Sequence, residues 1–307
     1  MSAQLEYRKD DPAENAVISR LVGNWSRRAL VRKPELEFDD RDLQVPEFPD
    51  ELIPFGGDDR YRDLPENIKH AIRAWAFIAF NKSIADIEQG IVNPGFQALA
   101  EDCFQTGLGR TLTIAASQAM VDEQYHTLMH RNGSWATRKR RGLELPDARL
   151  PVSLKVQGQQ DELAKTHSLR EALVIRLAFT TVAEVSINTY LDLVADDATI
   201  QPYNSATARI HTRDEHCHSS ITAELAQIIY ADLGADEQHQ FAQHLACAVK
   251  GFAATDRRSW LAILEDVGVR DHISIIEDAF RATPRQITDM TAVRSLFQKL
   301  NIDEDIL

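Results

Sequence analysis

Two short segments of the 307-residue chain carry the residue types most able to do chemistry, Asp122-Glu123-Gln124-Tyr125-His126 and Asp214-Glu215-His216-Cys217-His218. In each, Glu and His stand three residues apart, with Asp directly before Glu. On a helix this spacing puts the carboxylate and the imidazole on one face, where both can grip the same metal ion. One such pair is common by chance in an acidic chain. Two pairs on separate helices call for a carboxylate from each of two further helices. Glu184 answers to this in the apolar run Leu177-Ala178-Phe179-Thr180-Thr181-Val182-Ala183-Glu184-Val185, where an unpaired carboxylate would cost several kcal/mol. Glu88 lies four residues after Ile84 and three before Ile91, on an apolar helical stripe. His211 joins Glu215 and His218 at i, i+4 and i+7, again on one face.

The set is then four carboxylates and three imidazoles. Four negative charges balance two divalent cations, which makes burial of the whole cluster tolerable. Three imidazoles fit poorly with the all-oxygen shells of magnesium or calcium, and carboxylate-bridged metals with imidazole caps suit iron or manganese. A ligating imidazole usually gives its other N–H to a carboxylate or carbonyl. Asp122 is therefore expected to orient His218, and Asp214 to orient His126. His130 is expected to point past the metals, and His216 and Cys217 to be rotated off the ligand face. His70, His167, His239, His244 and His272 fall outside the pattern.

The elements that must position these groups read as helices. Apolar periodicity predicts a first helix over 12–32, then an irregular acidic stretch over 33–63 containing Gly56-Gly57. Pro65 opens a long helix to about 92, which Asn93-Pro94-Gly95 is expected to break before a short helix over 95–106. Further helices are predicted over 110–131, ended by Asn132-Gly133; over 168–194, capped by Ser168 with Glu171; over 204–232; and over 236–258, with shorter ones over 260–300. The basic run Arg138-Lys139-Arg140-Arg141 reads as a solvated loop, and Leu150-Pro151-Val152-Ser153-Leu154-Lys155-Val156 as a short extended piece. Strand signals are otherwise nearly absent. The expected architecture is all-α, a ferritin-like four-helix bundle with additional N- and C-terminal helices. It forms a single domain over 1–307 with its metal-binding core at about 65–232.

Charge and composition exclude several classes. A net charge of −13 argues against a nucleic-acid partner, which needs a basic face, and against docking on an anionic membrane surface. The three cysteines, Cys103, Cys217 and Cys247, are too few and too scattered for a disulfide framework or a paired-cysteine zinc site. The N-terminus is polar from the start, and no stretch of about eighteen apolar residues reads as a membrane span. These features point to a reduced, cytoplasmic protein.

In the order Glu88, then Glu123 and His126, then Glu184, then His211, Glu215 and His218, the candidate ligands resemble those of the di-iron N-oxygenases typified by p-aminobenzoate N-oxygenase. His211 is the residue that sets this pattern apart from two-histidine di-iron proteins. The resemblance is close over about 65–232. It implies two iron ions, dioxygen as co-substrate, an external electron donor delivered by a redox partner, and a homodimer. The implied reaction is oxidation of an amine nitrogen to hydroxylamine and onward to nitroso or nitro, as a step in natural-product biosynthesis. Arginines of the C-terminal helices, Arg281, Arg285 and Arg294, are candidates to pair with a substrate carboxylate. The small-molecule amine itself, aromatic or aliphatic, stays open. The competing readings are a di-iron oxygenase acting on carbon as a hydroxylase or desaturase, an iron-storage bundle, and a helical interaction protein without metal.

Overall fold

The structure, a computed structural model, describes residues 16–37, 42–281 and 290–303. Among them there is no strand. In chain order the helices are α1 (Ala16–Arg28), α2 (Asp59–Arg62), α3 (Glu66–Ile87), α4 (Asn93–Ala100), α5 (Arg110–Arg141), α6 (Leu154–Leu163), α7 (Leu169–Leu191), α8 (Pro202–Asp232), α9 (Ala235–Ala253), α10 (Arg257–Asp266), α11 (His272–Arg281) and α12 (Thr291–Lys299).

Local sequence accounts for most of the ends. Proline stands just before α3 and at the first turn of α8, where its missing N–H costs nothing. The Ser168 hydroxyl accepts from the Glu171 N–H at 3.2 Å and caps α7. Glu171 does not return the bond to Ser168 as a full capping box requires. Its carboxylate takes the Thr166 hydroxyl instead.

Three expectations give way. Asn93-Pro94-Gly95 does not break the chain of α3. The helix widens into one π turn, Glu88–Val92, and continues directly as α4. The wide turn lets Asn93 take the Glu88 carbonyl with both its N–H and its side-chain Nδ2, at 3.0 Å for the latter, and leaves Pro94 in the first turn of α4 where it needs no acceptor. Such turns recur where a helix carries a functional side chain, and here the side chain is Glu88. Gly95 is required at this point for another reason: a Cβ there would sit 1.9 Å from the Thr180 hydroxyl, so only glycine lets α4 lie on α7.

Gly133 likewise does not end α5. The helix runs on for two more turns to Gly142, whose left-handed φ of 62° closes it. The basic run 138–141 is thus the last helical turn, where cations favour the carbonyl end of the dipole. Arg140 and Arg141 both reach the fully buried Glu47 carboxylate, and Arg141 also holds the carbonyls of Leu43 and Val45. Arg140 and Arg141 thus anchor the irregular acidic segment against the bundle, while Arg138 pairs with Asp147 and Lys139 stays exposed. Finally, the stretch read as extended becomes α6 from Leu154 onward.

Helices α3, α5, α7 and α8 form the central bundle, with α3 against α5, α7 against α8, and α5 against α8. Helix α1 crosses α5 and α8, α9 and α12 cover α7, and α10 covers α3. The architecture is therefore a ferritin-like four-helix bundle with additional N- and C-terminal helices. Its core is divided into two apolar layers. One gathers Ile87, Ile91, Phe96, Ala119, Val182, Ala183 and Ile221. The other gathers Phe77, Phe80, Ile84, Ile187, Leu191 and Ala208. Complete burial of side chains such as Phe77 and Phe96 contributes about 2–3 kcal/mol each. Between the two layers lies a slab of polar side chains. Helix α7 is long and apolar enough to cross a membrane, but 72% of its apolar window is buried inside the protein.

Candidate metal centre

Each bundle helix contributes to the polar slab where it passes from one apolar layer to the other: α3 through the π turn with Glu88, α5 with Glu123 and His126, α7 with Glu184, and α8 with His211, Glu215 and His218. All seven side chains are at most 2% exposed. Their donor atoms fall into two overlapping groups. One is Glu88, Glu123, His126, His211 and Glu215. The other is Glu123, Glu184, Glu215 and His218. Within each group the atoms lie inside 4.8 Å of one another. Glu123 and Glu215 belong to both.

The orientation of each imidazole is defined. His126 turns Nδ1 toward Glu123 at 3.0 Å and Glu215 at 3.2 Å. His218 turns Nδ1 toward Glu123 at 2.5 Å and Glu215 at 3.4 Å. His211 turns Nε2 toward Glu215 at 2.9 Å and Glu88 at 3.7 Å. His218 Nδ1 and Glu123 Oε1 approach closely yet lack the alignment of a hydrogen bond. That is the geometry of two donors aimed at a common third atom. Glu88 Oε2, Glu184 Oε2 and Glu215 Oε2 are also buried with no hydrogen-bond partner. Orphaned donors from four helices, converging in a dry slab, fit bound metal and little else, since each would otherwise carry an uncompensated desolvation cost.

Electrostatics divides the carboxylates into two kinds. Burial and each other's charge push Glu123 and Glu215 upward, but the imidazoles of His218 and His126 outweigh this, holding Glu123 down to about 2 and Glu215 well below the usual carboxylate range. Burial, and then the neighbouring carboxylates, push Glu88 and Glu184 well above it. Burial alone would lower His126 and His218, but Glu123 and its neighbours raise both well above the usual value. His211 is lowered, by burial and by the nearby His126.

The far sides of the imidazoles are also held. The structure brings Asp122 to His218 Nε2 at 3.1 Å and Asp214 to His126 Nε2 at 3.4 Å, each across to the other helix. Helix α1 closes over both aspartates. Trp25 Nε1 donates to Asp122, the Leu30 N–H donates to Asp214 at 2.9 Å, and the Arg28 guanidinium lies within 3.5 Å of both.

His130 is not among the clustered donors, as expected, but stands behind His211. It is fully buried, with Nε2 2.8 Å from His211 Nδ1 and Nδ1 2.7 Å from Asn81 Oδ1. Its place four residues after His126 was the available signal, but only the approach of α3 and α8 supplies its two partners. Trp25 and Asn81 carried no signal of their own in the sequence.

The C-terminal arginines expected at a substrate carboxylate are not brought to the cluster. Arg281 is an exposed residue paired with Asp278, and Arg294 is exposed on α12. Arg285 lies outside the described residues. The apolar stripes of α11 and α12 point their Ile and Phe side chains inward, which leaves these two arginines on the outer face.

Comparison with known proteins agrees with this geometry. The family described as p-aminobenzoate N-oxygenase AurF matches residues 11–301. A 4-aminobenzoate N-oxygenase of Streptomyces thioluteus is 30% identical over 299 residues, covering 95% of this chain and 88% of that protein. With four carboxylates and three histidines drawn from four bundle helices, and a match along nearly its whole length, the chain belongs to the p-aminobenzoate N-oxygenase family.

Proposed function

We propose that the chain is a dioxygen-dependent di-iron oxygenase that oxidises the nitrogen of an aminobenzoate-type amine to hydroxylamine and onward to nitroso or nitro. The observation that carries this reading is the set of orphaned carboxylate and imidazole donors converging between two apolar layers. Glu88, Glu123, His126, Glu184, His211, Glu215 and His218 would hold two iron ions. Those ions, when bound, supply activation of dioxygen with electrons from an external donor. Glu123 and Glu215, held low by the imidazoles, would be the carboxylate donors common to both groups. Glu88 and Glu184, each in one group only, would be the carboxylate donors particular to one ion. Asp122 and Asp214 fix the rings of His218 and His126. The apolar layers exclude water: Phe96 packs edge-on against His218, and Phe80 against His130.

A site for the substrate acid group is proposed on the far side of Phe80 from His130. There a cavity of about 100 Å³ is lined by Phe48, Phe80, Tyr190, Trp260 and Lys155. Lys155 is buried over the Tyr190 ring, and Asp86 and Asp256, which also line the cavity, pair with Lys82 and Arg258 instead. Burial draws its ammonium down to about 8, so a bound carboxylate is the partner it lacks. The same reading places the enzyme in the cytoplasm, with the whole chain as one functional unit and a homodimer as its assembly. Val121, Leu128 and Trp135, exposed seven residues apart along α5, offer a surface for the second copy.

The test is to load the protein with ferrous iron without air, count the iron, and add dioxygen and 4-aminobenzoate. Two irons per chain and N-oxidised product are expected. Zinc alone, or product oxidised only at carbon, would overturn the reading. Lys155→Met is expected to raise KM for 4-aminobenzoate and leave that for uncharged anilines unchanged.

A further inference from the structure

The two aspartates behind the metal-facing histidines occupy equivalent places, yet helix α1 and the turn that follows it hold them differently. Asp214 receives a backbone N–H, that of Leu30. Asp122 receives an indole: Trp25 Nε1 lies 2.9 Å from Oδ1 and 3.0 Å from Oδ2. Asp122 is fully buried, whereas Trp25 is partly exposed. The indole, the carboxylate and the imidazole of His218 therefore form one hydrogen-bonded line. Each link is at most 3.1 Å, running from the protein surface to an Nδ1 that faces the metal cluster. Electron tunnelling falls off much less steeply through bonds and hydrogen bonds than through gaps. Among the described residues no aromatic side chain is hydrogen-bonded to Asp214, although Tyr125 lies nearby, and behind His211 the line runs inward to His130 and Asn81.

The surface at the outer end of the line is unusual for this molecule. From Ala16 to Lys33 the chain carries Arg20, Arg27, Arg28, Arg32 and Lys33 and no acidic residue, although its net charge is −13. Arg28 turns inward to the aspartates, while Arg20, Arg27, Arg32 and Lys33 are exposed. A basic face on an acidic protein attracts a negatively charged partner and repels little that is useful there. Weak, charge-guided contacts of small area are typical of electron-transfer encounters.

We infer that Trp25 is the point at which electrons enter the metal centre, and that the basic face of α1 docks an acidic one-electron carrier protein. The inference rests on the proposed di-iron reading. Each encounter oxidises one carrier by one electron and reduces one ferric ion to ferrous, so two encounters restore the reduced pair. No atom is transferred. Trp25 and Asp122 act as positioning and conducting groups and touch neither substrate nor dioxygen.

The experiment uses a reduced, acidic plant-type [2Fe–2S] ferredoxin as the probe. Its binding to the metal-free protein is expected to be detectable at low salt and to weaken as salt screens the charges. In the triple variant Arg20→Glu, Arg27→Glu, Arg32→Glu, association is expected to fall about tenfold or more. Reduction of the iron-loaded protein is then followed by stopped flow. Trp25→Phe is expected to slow reduction by ferredoxin several-fold, with ferredoxin binding, iron content and reduction by dithionite unchanged. A purely structural indole would leave the ratio of ferredoxin to dithionite rates where it was. Parental ferredoxin rates in Trp25→Phe, or binding indifferent to salt and to the triple variant, would overturn the inference. Should Trp25→Phe lose iron, the triple variant decides: parental reduction by ferredoxin places the entry elsewhere. Failure to bind iron in the parent would count against the di-iron reading, while the metal-free binding measurement still judges the docking face.

Discussion

The imidazoles of the cluster are supported from behind in two different ways. His126 and His218, on α5 and α8, each face an aspartate from the opposite helix, and both aspartates are tied to α1. His211, two turns before His218 on α8, faces a neutral chain instead, His130 and then Asn81. Aspartate support places negative charge behind the ring, which raises the basicity of the metal-facing nitrogen. The neutral chain supplies orientation without charge. If His211 gives Nε2 to a metal, its Nδ1 must carry the proton and donate to His130 Nε2. His130 must then carry its own proton on Nδ1 and donate to Asn81 Oδ1. Burial, and then the neighbouring His211 and His126, hold His130 well below the ordinary imidazole value, as an uncharged relay requires. The two supports thus differ in charge while performing the same geometric task.

The largest expected effect removes what the two flanks share. Glu215 lies within 3.4 Å of all three imidazoles. Glu215→Ala is expected to abolish binding of the metal pair, read by elemental analysis. A variant that still held two irons per chain would show that the flanks do not meet at this residue.

The charged flank comes next. In Asp122→Asn the amide must serve both Trp25 and His218, two donors, with one carbonyl oxygen. A loss of about 10–100-fold in metal affinity or activity is expected. Asp214→Asn should lose less, because its contact to His126 is longer, at 3.4 Å, and its carboxylate is also fixed by Leu30. Metal titration of both variants checks the order, and equal losses would mean that the contact distance is unimportant.

A gentler perturbation applies to the neutral flank. Asn81→Leu leaves the buried His130 N–H without an acceptor, at a cost of about 1–3 kcal/mol in stability. Iron stoichiometry should be kept, since His211 remains, while turnover falls. Thermal unfolding and iron counting together test this. Loss of iron on the scale of Asp122→Asn would erase the distinction between the flanks.

The smallest effect concerns protons. Without metal, Glu88, Glu184, His126 and His218 are shifted toward their protonated forms, whereas His211 and His130 are shifted toward their neutral forms. Two divalent ions displace protons from the first four groups, because ligands must be deprotonated. Metal uptake should therefore release protons and weaken as pH falls. A pH-stat titration measures this, and a pH-independent affinity between pH 5 and 8 would contradict it.

Much of the site is legible because it obeys helical periodicity. Glu123 with His126, and His211 with Glu215 and His218, repeat at three and four residues, so their shared faces follow from the backbone alone. Glu184 is visible because a carboxylate in so apolar a run demands a partner. The helix ends were harder to read: Asn93-Pro94-Gly95 and Gly133 look like breakers, yet the π turn absorbs the one, and the other stays inside α5, where a Cβ would stand 3.2 Å from the Asn81 amide nitrogen.

The residue types, their faces and the balance of charge were thus set by the order of amino acids, since each depends only on neighbours within a turn or two. Which nitrogen of each histidine faces inward, the relay through His130 to Asn81, the indole of Trp25 on Asp122 and the solitary ammonium of Lys155 were decided by tertiary packing. These contacts join residues 49 to 97 positions apart, or bury a side chain against helices far along the chain. No local period records such distances, because they depend on how the helices cross and not on how any one of them turns.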